Sequence, residues 1–126
     1  MRLTGLDVTD VRAIVYAPSS EGEAEAIELR VGERNSVVIT SGTDWTLRGD
    51  PGVWGVLPGW CYPPESWRRE DIPELGGAGE LGPILEEEIL RDPAGEADGV
   101  RLGFKSCEFT IMCGDPFSFE IHRKAS

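Results

Sequence analysis

At 126 residues, with 40% hydrophobic and 28% charged content, the chain has the size and composition of one soluble domain able to bury its own core. A formal net charge of −11 argues against nucleic acid as a partner, because that affinity comes mainly from cations meeting phosphate. No apolar run approaches a membrane span and MRLTGLDVTD lacks the apolar stretch of a signal peptide, so no membrane association and a cytoplasmic location are expected.

Residues 1–48 read as an N-terminal β-meander. VRAIVYA at 11–17 is rich in β-branched residues, as strands are. A turn cluster at 18–22 leads into a strand at 23–31, where Ile27, Leu29 and Val31 alternate with Glu28 and Arg30. That alternation predicts an antiparallel strand with one wet face. A hairpin turn at 32–35 precedes SVVITS at 36–41, and residues 42–44 turn the chain into a short fourth strand at 45–48.

Residues 49–82 form an irregular insertion rich in Trp, Pro and Gly. All four tryptophans, Trp45, Trp54, Trp60 and Trp67, lie within DWTLRGDPGVWGVLPGWCYPPESW, beside Tyr62 and four prolines. Tryptophan dominates burial and interface energetics, while Pro and Gly forbid an ordinary helix or central strand. Trp45 is expected in the core, and Trp54 in a satellite cluster with Val56 and Leu57. Trp60, Tyr62 and Trp67 are expected at least partly exposed. Asp44 and Asp50 read as turn residues, with Arg48 paired to Asp50 or stacked on a tryptophan. Residues 65–71 read as a single helical turn. Arg68 and Arg69 read as an anchor to the acidic segment that follows.

PILEEEILR at 83–91 predicts one short helix. Pro83 suits the first helical position, and Glu86, Glu87 and Glu88 fall near the favourable end of the helix dipole. Residues 99–122 predict a C-terminal β-meander of three strands. Val100, Leu102 and Phe104 alternate, as do Cys107, Phe109, Ile111 and Cys113, then Phe117, Phe119 and Ile121. The expected fold is therefore a single α+β domain over 1–126, mainly antiparallel β. Its two meanders of about seven strands form a sheet or a partly open barrel, with a short helix near 83–91.

Three cysteines disfavour a complete disulfide framework. If Cys107 and Cys113 share a straight strand, their Cα atoms are about 20 Å apart at about 3.3 Å per residue. A disulfide needs about 7 Å or less. Free thiols follow, with Cys61 open to the surface and nothing basic beside it.

No catalytic constellation can be named. The single histidine, His122, falls on a predicted wet face. Cys107 and Cys113 lack zinc-ligand spacing and partners. The Gly-rich stretch around 74–82 lacks the lysine of a phosphate loop. Neither a metal nor a cofactor is expected, and the balance is against an enzyme.

Residues 68–98 carry ten acids against three arginines, a local acidic field able to speed encounter with a basic partner. The sequence thus points to a small acidic cytoplasmic protein-binding domain, its surface built from Trp54, Trp60, Tyr62 and Trp67 with Glu86, Glu87 and Glu88. In layout, a compact acidic domain with an irregular aromatic segment is similar to bacterial immunity proteins, which neutralise toxins. That likeness implies a basic protein partner. The alternative is a small-ligand-binding or enzymatic barrel with the Trp-rich segment lining its pocket. A third reading is self-association through an uncovered strand edge.

Overall fold

A computed structural model describes residues 2–17, 24–42, 46–72, 81–114 and 117–124. The expectations for Asp44 and Trp45, and for the turn at 18–22, fall outside them.

Among the described residues there are eleven strands and no α-helix. The N-terminal meander runs through β2 (Asp10–Tyr16), β3 (Ala24–Arg30), β4 (Asn35–Ser41) and β5 (Leu47–Val53). Strand β6 (Trp67–Glu70) returns to pair with β2, giving a five-stranded antiparallel sheet in the order β5-β4-β3-β2-β6. The C-terminal meander is β8 (Glu86–Arg91), β9 (Ala97–Gly103), β10 (Cys107–Met112) and β11 (Ser118–Arg123), in spatial order β11-β10-β9-β8. A short ladder pairs β1 (Asp7–Val8) with β7 (Gly82–Pro83).

The two large sheets pack face to face. Val11, Ala13, Val15, Ile27, Leu29 and Ile39 from one layer join Val100, Leu102, Phe109 and Ile111 from the other in a single buried cluster. Period-two alternation places these residues on the facing surfaces. At one margin the Cys113 Sγ lies 3.6 Å from the Thr40 carbonyl of the opposite sheet. The sheets are open and side chains fill the space between them, so the architecture is a sandwich and not a barrel.

The helix expected at 83–91 is not formed. Residues 86–91 are an edge strand paired with β9 from Glu86↔Gly103 to Arg91↔Ala97. The Asp-Pro-Ala-Gly sequence after it closes a hairpin rather than capping a helix. Asp92 Oδ1 accepts from the Ala94 and Glu96 amides, each at 2.9 Å, and Gly95 takes φ +88°. Among the described residues the one helical element is a 3-10 turn, Pro64–Ser66, which overlaps the helical turn expected at 65–71 only at its first two residues; Trp67–Glu70 are strand β6 instead, because they pair with β2. The strand count rises from about seven to eleven because β1, β6, β7 and β8 had no clear alternation of their own.

Candidate functional site

The insertion is shorter than its composition suggests. Its first residues extend β5 to Val53, so Asp50 is a strand residue and not a turn residue. Gly49, Pro51 and Gly52 are tolerated because β5 is an edge. The irregular part, residues 54–66, folds back over the outer face of the five-stranded sheet. Its backbone is held by turns such as Cys61 N–H to Pro58 C=O at 3.0 Å, and docked by the Ala17 amide donating to Ser66 C=O at 2.7 Å.

This segment forms a roof. Ile14, Ala26 and Val38, which alternation turns away from the main core, are buried beneath Cys61, with Leu57 and Trp67 packed on them. The face of β3 expected to be wet is therefore covered at its middle: Glu28 on it is fully buried, while Arg30 is half-buried. A buried carboxylate needs compensation. Ser36 Oγ donates to its Oε2 at 2.7 Å, and Arg69 Nε donates to its Oε1 at 2.9 Å. The Arg69 guanidinium in turn lies 4.3 Å from the centre of the Trp54 ring, a cation–π contact between two half-buried side chains. Arg69 Nη2 has no hydrogen-bond partner among the described residues, so the Trp54 ring is its compensation on that side.

These contacts correct two expectations. Arg68 and Arg69 do not reach the acidic segment at 86–88. Arg68 pairs with Glu70 at 2.5 Å and Arg69 with Glu28. Trp54 is not in a cluster with Val56 and Leu57: it stacks on Arg69, Leu57 packs below, and Val56 is exposed. Arg48 does pair with Asp50, at 2.9 Å.

The outer surface of the roof is aromatic. Tyr16, Trp67 and Trp60 form a ladder with centroid separations of 5.1 and 5.4 Å, the last pair edge-to-face. Trp67 is half-buried, whereas Trp60 is 46% and Tyr62 80% exposed. Val53 and Val56 are exposed beside them. Two adjoining depressions share Arg48 and Trp60 as walls. One, of about 330 Å³, runs from Val53 and Val56 to Pro58; the other, of about 420 Å³, is bounded by Glu25, Thr40 and Trp67. Trp60 is the ridge between them.

Cys61 is buried beneath the roof rather than at the surface, and burial pushes its thiol up to about 11. Cys107 and Cys113 are also buried and free, and burial raises both thiols. Thiolate chemistry at neutral pH is thereby suppressed.

The glutamates are not part of this surface. Alternation along β8 divides them. Glu86 and Glu88 lie on the wet face of the four-stranded sheet, where Glu88 and Glu108 hold Arg101, the latter at 3.2 Å. Glu87 points to the other side and clamps the N-terminal turn: its Oε1 accepts from the Leu3 amide at 2.7 Å and from the Thr4 amide and hydroxyl at 3.1 Å. The sandwich therefore puts Trp60 and Tyr62 on one outer layer and Glu86 and Glu88 on the other. His122, on the same wet face as Glu86, sits 3.3 Å from Glu120.

Among the described residues no group of three or more His, Cys, Asp or Glu is placed to hold a metal ion, and no helix is long and apolar enough to cross a membrane. The chain matches no protein-family model, no curated protein and no solved structure.

Proposed function

We propose that the chain is a protein-binding domain whose recognition face is the roof around Trp60. One observation carries this reading: Val53, Val56, Trp60 and Tyr62 are exposed together on residues 53–62, whereas only Leu85 and Met112 are large exposed hydrophobics elsewhere among the described residues. Grouped aromatic and aliphatic exposure is the signature of an interaction site. The backing matters as much as the exposure. Trp60 is fixed edge-on against Trp67, so little side-chain freedom remains to be lost on binding. The net charge of −11 favours a basic partner, and neutralisation of a basic toxin by an immunity-type inhibitor is the specific form this takes.

Capture from the native host with the wild-type chain and with Trp60→Ala as parallel baits tests it. A stoichiometric partner held by the first and lost by the second supports the roof. A partner held equally by both removes it.

A small-ligand role is supported only by the two depressions beside Trp60, since the interior is filled by side chains. Quenching or shift of tryptophan fluorescence by a metabolite panel, abolished in Trp60→Ala, is its distinguishing result.

A further inference from the structure

An uncovered sheet edge offers N–H and C=O groups to another strand, and folded proteins usually blunt such edges. The two large sheets have four edges: β5, β6, β8 and β11. Strand β5 carries Pro51. Trp54 N–H donates to Arg34 C=O, so even-numbered residues of β5 face β4, and the donor Pro51 lacks belongs on the open side. Strand β6 has only four residues. Strand β8 starts with Glu86, Glu87 and Glu88, whose like charges oppose pairing with a copy of itself.

Strand β11 is the least protected of the four. Its sequence, SFEIHR, contains neither Pro nor Gly, its charged residues are of mixed sign, and among the described residues its ladder is to β10 alone. Lys124 N–H donates to Ser106 C=O at 3.0 Å, which fixes the direction of every group along the strand. The backbones of Glu120 and His122 face β10; those of Phe119 and Ile121 face away. The side chains of Phe119 and Ile121 pack on the core yet remain only partly covered at its margin.

We infer that β11 is a self-recognition edge. Two copies of the chain pair their β11 strands antiparallel about Ile121, making one continuous sheet from the two four-stranded ones. Pairing of Glu120 with His122 selects this register. With Ile121 opposite its own counterpart, Glu120 stands opposite His122 of the second copy, and His122 opposite its Glu120. Both side chains are well exposed on the wet face, where they now lie 3.3 Å from each other, and pairing exchanges that contact for the same contact with the second copy. The next register in one direction sets Glu120 against Glu120, and in the other His122 against His122. A carboxylate opposite an imidazole N–H can hydrogen-bond, whereas two glutamates directly opposite repel, so of these three registers the Ile121-centred one pairs both side chains with unlike neighbours.

Sedimentation velocity of the full chain across a concentration series, with reductant, reads the association. The expected result is a monomer–dimer equilibrium. Glu120→Lys places a cation opposite His122 twice per dimer and weakens association about tenfold. The exchange Glu120→Lys with His122→Glu restores it. Both variants alter exposed side chains, and circular dichroism confirms that they fold. Register is read separately by mixing a Glu120→Cys chain with a His122→Cys chain. Directly opposite residues of a non-hydrogen-bonded pair have Cα atoms about 4.5 Å apart, within disulfide reach. The mixture is expected to cross-link under mild oxidation, and each variant alone is not. A chain that stays monomeric at every concentration, a dimer indifferent to Glu120→Lys, or a mixture that does not cross-link overturns the inference.

Discussion

Arg69 on edge strand β6 reaches across β2 to Glu28 on β3, its Nε donating to Glu28 Oε1 at 2.9 Å. This ion pair sits on the face that a bare antiparallel sheet would leave wet. It is covered because Trp54 lies over the guanidinium and residues 54–66 close over the apolar row beside it. Through Trp54 on the guanidinium the pair joins the roof to the sheet, and the proposed recognition face above depends on it.

Removing one partner of a buried pair strands the other charge. Arg69→Ala is expected to cost about 3 kcal/mol in urea denaturation, because Glu28 keeps only the Ser36 hydroxyl. The double change Glu28→Leu with Arg69→Met is expected to recover most of that loss. A single variant as stable as wild type contradicts the pairing.

Glycine at position 52 is required by close approach. A Cβ there meets Ser36 Oγ at 2.8 Å, and Ser36 is already engaged with Glu28. Gly52→Ala is expected to destabilise by about 1–3 kcal/mol. Gly59→Ala meets nothing within 4 Å and is expected to be neutral or to stabilise by up to about 1 kcal/mol through the unfolded chain. Thermal melts of the two variants side by side check the contrast.

The three adjacent glutamates are expected to behave differently. Glu87→Ala releases the amides of Leu3 and Thr4 and should cost about 2 kcal/mol, with faster amide exchange confined to the first residues. Glu86→Ala, at an exposed position, should stay within about 0.5 kcal/mol. Equal costs at 86 and 87 would show that alternation along β8 is wrongly assigned.

Burial raises the Cys61 thiol from about 9 to about 11. The unfolded chain therefore releases this proton first as pH rises. Stability contributed by the protonated thiol is complete below pH about 9 and is lost progressively toward pH about 11. Cys107 and Cys113 act in the same direction. Melting temperatures are expected to fall between pH 9 and 11, less steeply in Cys61→Ala. In the native state at pH 7.5 all three thiols should resist alkylation until denaturant is added.

Much of this fold is legible in the sequence. Six of the seven expected strands have a counterpart close to their expected span, because alternation in stretches such as IELRV and CEFTIMC matches the pleat; the fourth, expected at 45–48, is found instead at Leu47–Val53, within the stretch expected to be irregular. The short helix does not survive. Pro83 and the run Glu86–Glu88 are real local signals for a helix start, but they are weaker than the ladder to β9 and the amides that Glu87 accepts from Leu3 and Thr4, 84 and 83 positions away. The roof is legible as an irregular aromatic segment, and its exposed members, Trp60 and Tyr62, follow from their proline-rich setting. Its location over one sheet is not legible, since it depends on β6 pairing with β2. The same blindness merged the glutamates with the tryptophans: neighbours in sequence become opposite faces in a sandwich. The alternation of Glu28 with Ile27 and Leu29 gave no sign that the polar side would be covered.

The most direct test of the roof as recognition face is the affinity of a purified partner for the wild-type chain, for Trp60→Ala, and for Glu86→Lys with Glu88→Lys on the opposite layer. Trp60→Ala is expected to weaken binding at least tenfold at nearly unchanged thermal stability, with a slower dissociation-limited complex only in wild type. The glutamate reversal is expected to change mainly the association rate and its salt dependence. Full affinity in Trp60→Ala, with the loss falling on the glutamate reversal instead, contradicts the account.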